Sequence, residues 1–228
     1  MTKTYKTALR YLNNQEKTDI SYAKIGEENK KLIVSFASNG KITKDYFQRK
    51  FSLLELKYNE NNFDILYLRN QNKWYLQGLN GIGENINHTI SFLKKEFSKY
   101  DKVLCTGYSA GGYASLLFGS LCNAHSVVAI DSQTDLDYLT NFQSAWGHEL
   151  RMKKKQCPTT WIKYNKIKNV LNSNVLYFVS NKRNKNAEHE QDKILHGDYH
   201  YDQIKNFPSV SDIRVSPIKE ITNFIKKA

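Results

Sequence analysis

Ser109 lies in "GYSAGGYASLLFG", with Gly107 two residues before it and Gly111 and Gly112 just after. A serine hydroxyl is a poor nucleophile at neutral pH. It forms covalent intermediates when a base takes its proton and nearby N–H groups receive the negative charge that develops. The G-x-S-x-G spacing is that of a nucleophile elbow, a tight strand-to-helix turn with the serine at its apex. Val103 to Thr106 reads as a buried strand and Gly111 to Leu121 as a helix, which is the context the motif requires. Small residues on either side of the apex let strand and helix approach. The turn puts Oγ at the positive end of the helix and aims the Ala110 N–H at a forming oxyanion. The same letters also describe a plain glycine-rich turn that packs a strand against a helix.

A base and an acid must accompany such a serine. Histidine takes the proton, and a carboxylate holds the imidazole in the right tautomer. Around this elbow the chain order is serine, acid, histidine, with the histidine just before the closing helix. Here the chain ends "DIRVSPIKEITNFIKKA". Lys219 or Glu220 stands where that histidine is expected, and no histidine follows His200. Three readings stay open. The base has moved to "LHGDYHYD", as His200 or as His196 beside a glycine; or Asp198 is kept as the acid and the base is lost; or "DKIL" is the last strand and "HGDYH" its loop. His200 gains a little over His196, because Tyr201, Ile204 and Phe207 at helical spacing would anchor it. The acid candidates are Asp198, Asp131 and Asp192. Asp131 ends a strand, where a carboxylate equally often caps the next helix. Asp198 stands too near His200 in sequence to pair easily with it, and Asp192 lies in a charged, solvated stretch.

The second oxyanion donor falls in the loop after "LIVSFA", at the backbone N–H of Ala37 or Ser38, with Asn39-Gly40 supplying a tight turn. Trp74 and Tyr75 follow the strand before the elbow strand. They either stack on a sugar ring or pack in the core. His88, His125, His148 and His189 read as surface or capping residues, and no metal-binding constellation is expected.

The elements that must hold these groups alternate. "ALRYL" and "DISYAKI" suggest a first hairpin. "KKLIVSFA", "FDILYL", the elbow strand, "HSVVAID" and "NVLYFVS" read as strands, with "DIRVSPI" as the last. "GENINHTISFLKKEF", "LDYLTNFQSAW" and "KEITNFIKKA" have helical spacing. Strand–helix alternation predicts an α/β class: a mostly parallel sheet with helices on both faces. One domain over residues 1–228 is expected, with a small cap at about 137–172.

The formal net charge is +12. The plain interpretation is a solvated basic surface. The sharper one is attraction to an anionic partner such as an acidic saccharide or coenzyme A. No nucleic-acid motif stands out. No apolar run is long enough to span a bilayer, and the N-terminus lacks a signal-peptide core, so a cytoplasmic protein is expected. Cys105, Cys122 and Cys157 are too scattered for a zinc site or a disulfide framework.

Three segments, "NKWYLQGLNGIGENI", "GYSAGGYASLLFG" and "VVAIDSQTDL", together resemble bacterial α/β-hydrolase-like proteins of capsule and lipopolysaccharide synthesis loci. These include capsular polysaccharide O-acetyltransferases with a serine triad. The resemblance runs from about Lys31 to about Leu136. It implies an α/β-hydrolase-type fold and an acyl-enzyme on Ser109 that acts on an ester of a cell-surface glycan or its precursor. No resident cofactor is implied, with acetyl-coenzyme A as donor if the enzyme is a transferase. The displaced histidine leaves a second expectation open: a non-catalytic binding protein of the same pathway.

Overall fold

A computed structural model describes residues 22–26, 29–38, 63–69, 74–79, 81–178, 198–212 and 217–226. Its centre is a seven-stranded sheet: β1 (Tyr22–Ile25), β2 (Lys31–Phe36), β3 (Asp64–Leu68), β4 (Lys102–Tyr108), β5 (Ser126–Ile130), β6 (Val175–Phe178) and β7 (Val210–Asp212), ordered β1-β3-β2-β4-β5-β6-β7. β1 pairs antiparallel with β3, and every other pairing is parallel. β3 is buried along its whole length and β2 along nearly all of it. That pattern requires cover on both faces and explains why these strands read as apolar runs rather than alternating ones.

Among the described residues the helices are α1 (Ile86–Phe97), α2 (Ala110–Leu121), α3 (Leu136–Thr140), α4 (Ala145–Gln156), α5 (Pro158–Tyr164), α6 (Asp198–Asp202) and α7 (Pro217–Lys226), with a 3-10 turn at Ile167–Asn169. Asn85 caps α1 through its side chain, which accepts from the N–H groups of Asn87 and His88. α2 is buried from Ala110 to Ser120 and packs on β2, β4 and β5. The stretch "LDYLTNFQSAW" is not one helix. It breaks after Thr140, and Ser144 starts α4 by accepting from Gly147 N–H at 3.1 Å. β7 begins at Val210, just before the predicted strand, and 213–216 lie outside the described residues. So do "ALRYL" and "DKIL".

The register makes the C-terminal ends of the central strands flush. Phe36 lies opposite Gly107, and Tyr108 opposite Ile130. The residues that follow these pairs, Ala37, Ser109 and Asp131, therefore share one edge of the sheet. Ligands of open α/β sheets gather at this edge. The start of β3 carries a different polar feature. Asp64 is fully buried there and is held by Asn29 Nδ2 at 2.7 Å and Tyr100 Oη at 2.8 Å, the partners a buried carboxylate requires.

Candidate active site

Ser109 stands between β4 and α2 with φ 55° and ψ −123°. Positive φ is uncommon outside glycine, and holding it costs about 1–3 kcal/mol. The surroundings enforce it. Ser109 N–H donates to Ile130 O at 3.0 Å, and Ser109 O accepts from Tyr113 N–H at 3.0 Å, the first bond of α2. The glycines are needed for close approach. A Cβ on Gly107 would lie 2.2 Å from Gly111 O, and one on Gly111 would lie 2.2 Å from Phe36 O. The spacing read in the sequence is thus the contact between the elbow strand, its helix and the end of β2. Ser109 does not use its side chain to cap α2. Its Oγ accepts a long hydrogen bond, 3.4 Å, from Gln133 Nε2.

Gln133 belongs to a buried polar run after β5 made of Asp131, Ser132, Gln133 and Thr134. Ser132 Oγ donates to Gln133 O at 2.8 Å, and Tyr177 Oη donates to Ser132 O. Gln133 is not among the site residues expected from the sequence, although it lies within the segment "VVAIDSQTDL" that carries the resemblance. A run of uncharged polar residues directly after a buried strand was the available signal. Asp131 is buried at φ 44° at the same level as Ser109. It is not the cap of the next helix. Asp135 takes that part, accepting from Tyr138 N–H at 3.1 Å.

Thr134 carries the run to His200. Its N–H donates to His200 Nδ1 at 3.2 Å, and its Oγ1 donates to His200 O at 2.8 Å. His200 is fully buried, with Tyr138 and Tyr199 edge-on to its ring. α6 stops at Asp202, short of the helix that the spacing of Tyr201, Ile204 and Phe207 suggested, and the turns after it place Ile204 in the core with Tyr201 and Phe207 packed against the core. The ring chemistry, however, is inverted relative to a serine triad. A triad histidine donates from Nδ1 to a carboxylate and accepts with Nε2. Here Nδ1 accepts, so the neutral ring carries its proton on Nε2. Asp198 opens α6, but its side chain, His196, Asp192 and His189 lie outside the described residues. His88, His125 and His148 are exposed. His88 Nδ1 accepts from Glu84 N–H at 3.1 Å and His125 Nδ1 from Val103 N–H at 3.1 Å. At the head of α7, Lys219 is exposed and Glu220 half-buried.

Two expected contacts are corrected. Ala37 is not the oxyanion donor, because its N–H donates to Leu68 O at 2.8 Å. Of the two residues proposed for that loop, Ser38 is left. Trp74 and Tyr75 do not present their faces to a sugar; each is 1 % exposed. Trp74 packs edge-on against Tyr113, and Tyr75 against Phe36 and Phe118. Both adopt positive φ, 64° and 57°, which turns the chain inward after β3. No composition rule anticipates that for two bulky aromatics in succession.

The helices between β5 and β6 are tied to the same edge. Tyr113 Oη donates to Tyr164 O at 2.8 Å, and Lys153 Nζ donates to Gln77 Oε1 at 2.7 Å. Of the basic cluster in α4, Lys154 and Lys155 are exposed, while Arg151 is half-buried and donates to Thr140 O and Phe142 O. Asp137 collects Lys154 Nζ at 3.0 Å, Trp161 Nε1 at 2.9 Å and Asn165 Nδ2. Burial pushes the Asp137 carboxyl up, but the bonds from Lys154 and Trp161 hold it below its ordinary value. Among the described residues, no group of three or more His, Cys, Asp or Glu could hold a metal ion, and no helix is long and apolar enough to cross a membrane.

No protein-family profile matches the chain, and neither does any curated protein sequence. Solved structures do match it. An S-formylglutathione hydrolase from Agrobacterium tumefaciens is 9 % identical with a TM-score of 0.55, over 90 % of this chain and 85 % of that one. A capsule O-acetyltransferase of Neisseria meningitidis serogroup A is 12 % identical with a TM-score of 0.52, over 91 % and 92 %. A fluorophosphonate-binding serine hydrolase of Staphylococcus aureus is 12 % identical with a TM-score of 0.51, over 89 % and 86 %. At these identities the likeness is one of architecture, and it agrees with the sheet order and the elbow: the chain has the α/β-hydrolase fold.

Proposed function

We propose that the protein is a serine acyltransferase or esterase acting on an ester of a cell-surface glycan or its precursor, with Ser109 as nucleophile. The observation that carries this reading is the strained apex. Ser109 is half-buried and held at positive φ on a turn whose glycines admit no Cβ, and its hydroxyl is not spent on capping the helix. Strain of this kind persists only where the surroundings over-determine it. In the first half-reaction Oγ attacks the acyl carbonyl, an imidazole takes the hydroxyl proton, and that proton leaves with the alcohol or thiol of the donor. Water or a sugar hydroxyl then takes the acyl group. The N–H groups of Ala110 and Ser38 receive the oxyanion. The Ala110 N–H lies at the first turn of α2, where N–H groups have no partner within the helix.

The base in this reading comes from the His196–His200 stretch. The Nδ1 contact of His200 with Thr134 weighs against His200 and toward His196. Asp131 and Asp198 remain the acid candidates. Helices α3 to α5 act as a small cap, and the exposed lysines of α4 draw in an anionic donor or acceptor, such as acetyl-coenzyme A or an acidic saccharide.

A fluorophosphonate probe tests this directly. The wild-type protein should be labelled and Ser109→Ala should not. Among His196→Ala and His200→Ala, the variant that lacks the base should lose acylation by several orders of magnitude, because triad members act as a unit. Labelling that survives both histidine changes refutes the assignment of the base. A second reading has its own observation. The group placed against Ser109 Oγ is the amide of Gln133, which cannot accept its proton, and Lys219 and Glu220 stand where the fold usually keeps its histidine. A wild-type protein that neither labels nor turns over acyl esters would make this a glycan- or partner-binding relative.

A further inference from the structure

Tyr75 offers more than core packing. Its hydroxyl lies 2.9 Å from Ala37 O and 3.0 Å from Leu68 O. Leu68 O already accepts the Ala37 N–H at 2.8 Å. Ala37 O lies beside the elbow as well, 3.0 Å from the position a Cβ on Gly111 would take. A carbonyl oxygen there is drawn toward the positive end of α2. The peptide that carries Ala37 O also carries the Ser38 N–H. Because a peptide is planar and trans, its C=O and N–H point in opposite directions. Whatever holds the one therefore aims the other.

We propose that Tyr75 is a positioning residue for the oxyanion hole: its hydroxyl pins the Ala37 carbonyl and so aims the Ser38 N–H. The inference rests on the acyl-transfer reading above. The ring is locked for this task. It packs edge-on against Phe36 at 5.7 Å and against Phe118 at 6.3 Å, and those two rings stack at 5.7 Å. Tyr75 also sits at φ 57°, directly after Trp74 at φ 64°. Bulky side chains adopt that conformation when the fold demands it, and here it delivers a hydroxyl to a carbonyl beside the nucleophile. Without the hydroxyl, the peptide is free to turn over. Its oxygen would then occupy the place meant for substrate oxygen.

Tyr75→Phe is the test, with Tyr113→Phe as its control. Tyr113 is another fully buried tyrosine whose hydroxyl donates to a backbone carbonyl, Tyr164 O at 2.8 Å. Both variants should lose a similar amount of thermal stability. Tyr75→Phe alone should lower kcat on an acyl ester by about 100-fold, the lower end of what losing one oxyanion donor costs, with KM little changed. It should weaken binding of a trifluoromethyl ketone by a similar factor, and it should move the Ser38 amide resonance in the free protein. If Tyr75→Phe folds poorly, para-aminophenylalanine at this position supplies a donor on the same ring and should keep most of kcat. Turnover and inhibitor affinity of Tyr75→Phe equal to those of Tyr113→Phe overturn the inference and leave the acyl-transfer reading standing. A wild-type protein without Ser109-dependent turnover overturns that reading, and the inference with it.

Discussion

Adding one carbon at Gly111 tests whether the elbow is a built device. In Gly111→Ala the new Cβ would lie 2.2 Å from Phe36 O and 3.0 Å from both the carbonyl carbon and oxygen of Ala37. A carbon and a carbonyl oxygen settle at about 3.3 Å or more, so strand end and helix start must part by about 1 Å. The three nearest atoms are all backbone, so no rotamer change relieves these contacts. Overpacking of this kind costs about 1–3 kcal/mol, partly offset by the higher helix propensity of alanine, worth at most about 1 kcal/mol. The functional cost should be larger, because a misplacement near 1 Å at the reacting centre lowers rate by about 100-fold. Urea denaturation and the second-order rate of fluorophosphonate labelling measure the two effects separately. Gly119→Ala, in the same helix, is the comparison. There the new Cβ meets Val127 Cγ2 at 2.4 Å, with nothing else closer than 3.6 Å. It should unsettle stability yet leave the labelling rate within a few fold of wild type. If Gly111→Ala labels at the wild-type rate, the close contact between β2 and α2 does not set the geometry of the nucleophile.

Asp137 predicts a pH dependence. Its folded pKa is depressed, so its contribution is present above the unfolded value of about 3.9 and is lost as pH falls through the lower folded value. Thermal melts should therefore show a loss of stability below about pH 4 that is smaller in Asp137→Asn. Arg151→Ala removes two charge-assisted bonds, at 2.6 Å to Thr140 O and 3.0 Å to Phe142 O, that tie α4 to the end of α3. It should cost about 1.5–3 kcal/mol in chemical denaturation, with tryptophan fluorescence from Trp146 and Trp161 reporting the change.

The parts legible in the sequence are those whose physics is local. Gly107, Ser109 and Gly111 form a signal five residues wide because strand, turn and helix are consecutive, and β2 to β6 are apolar runs because parallel strands are covered on both faces. What escaped depends on meetings between distant segments. The Ala37 N–H is taken by Leu68 O, thirty-one residues away along the chain, so the choice between Ala37 and Ser38 was invisible. Trp74 and Tyr75 carry the composition of a sugar platform, but positive φ at both folds them under the sheet edge. The tautomer of His200 is set by Thr134, sixty-six residues earlier, so spacing within "HGDYH" could not show which nitrogen is occupied.

The sheet order has a consequence for how the molecule can be divided. Every strand on one side of β4, namely β1, β3 and β2, precedes it in the chain, and every strand on the other side, β5, β6 and β7, follows it. A cut at the exposed turn around Asn123 would therefore separate two contiguous half-sheets without severing a strand. The first fragment would carry the nucleophile and both proposed oxyanion donors. The second would carry Gln133, His200 and the candidate acids. Each half would expose an unpaired edge, β4 on one and β5 on the other, whose complement is the other half in the register Leu104 to Ser126 through Tyr108 to Ile130. The architecture thus suits split reporters, in which labelling of Ser109 would read out the meeting of two fused partners.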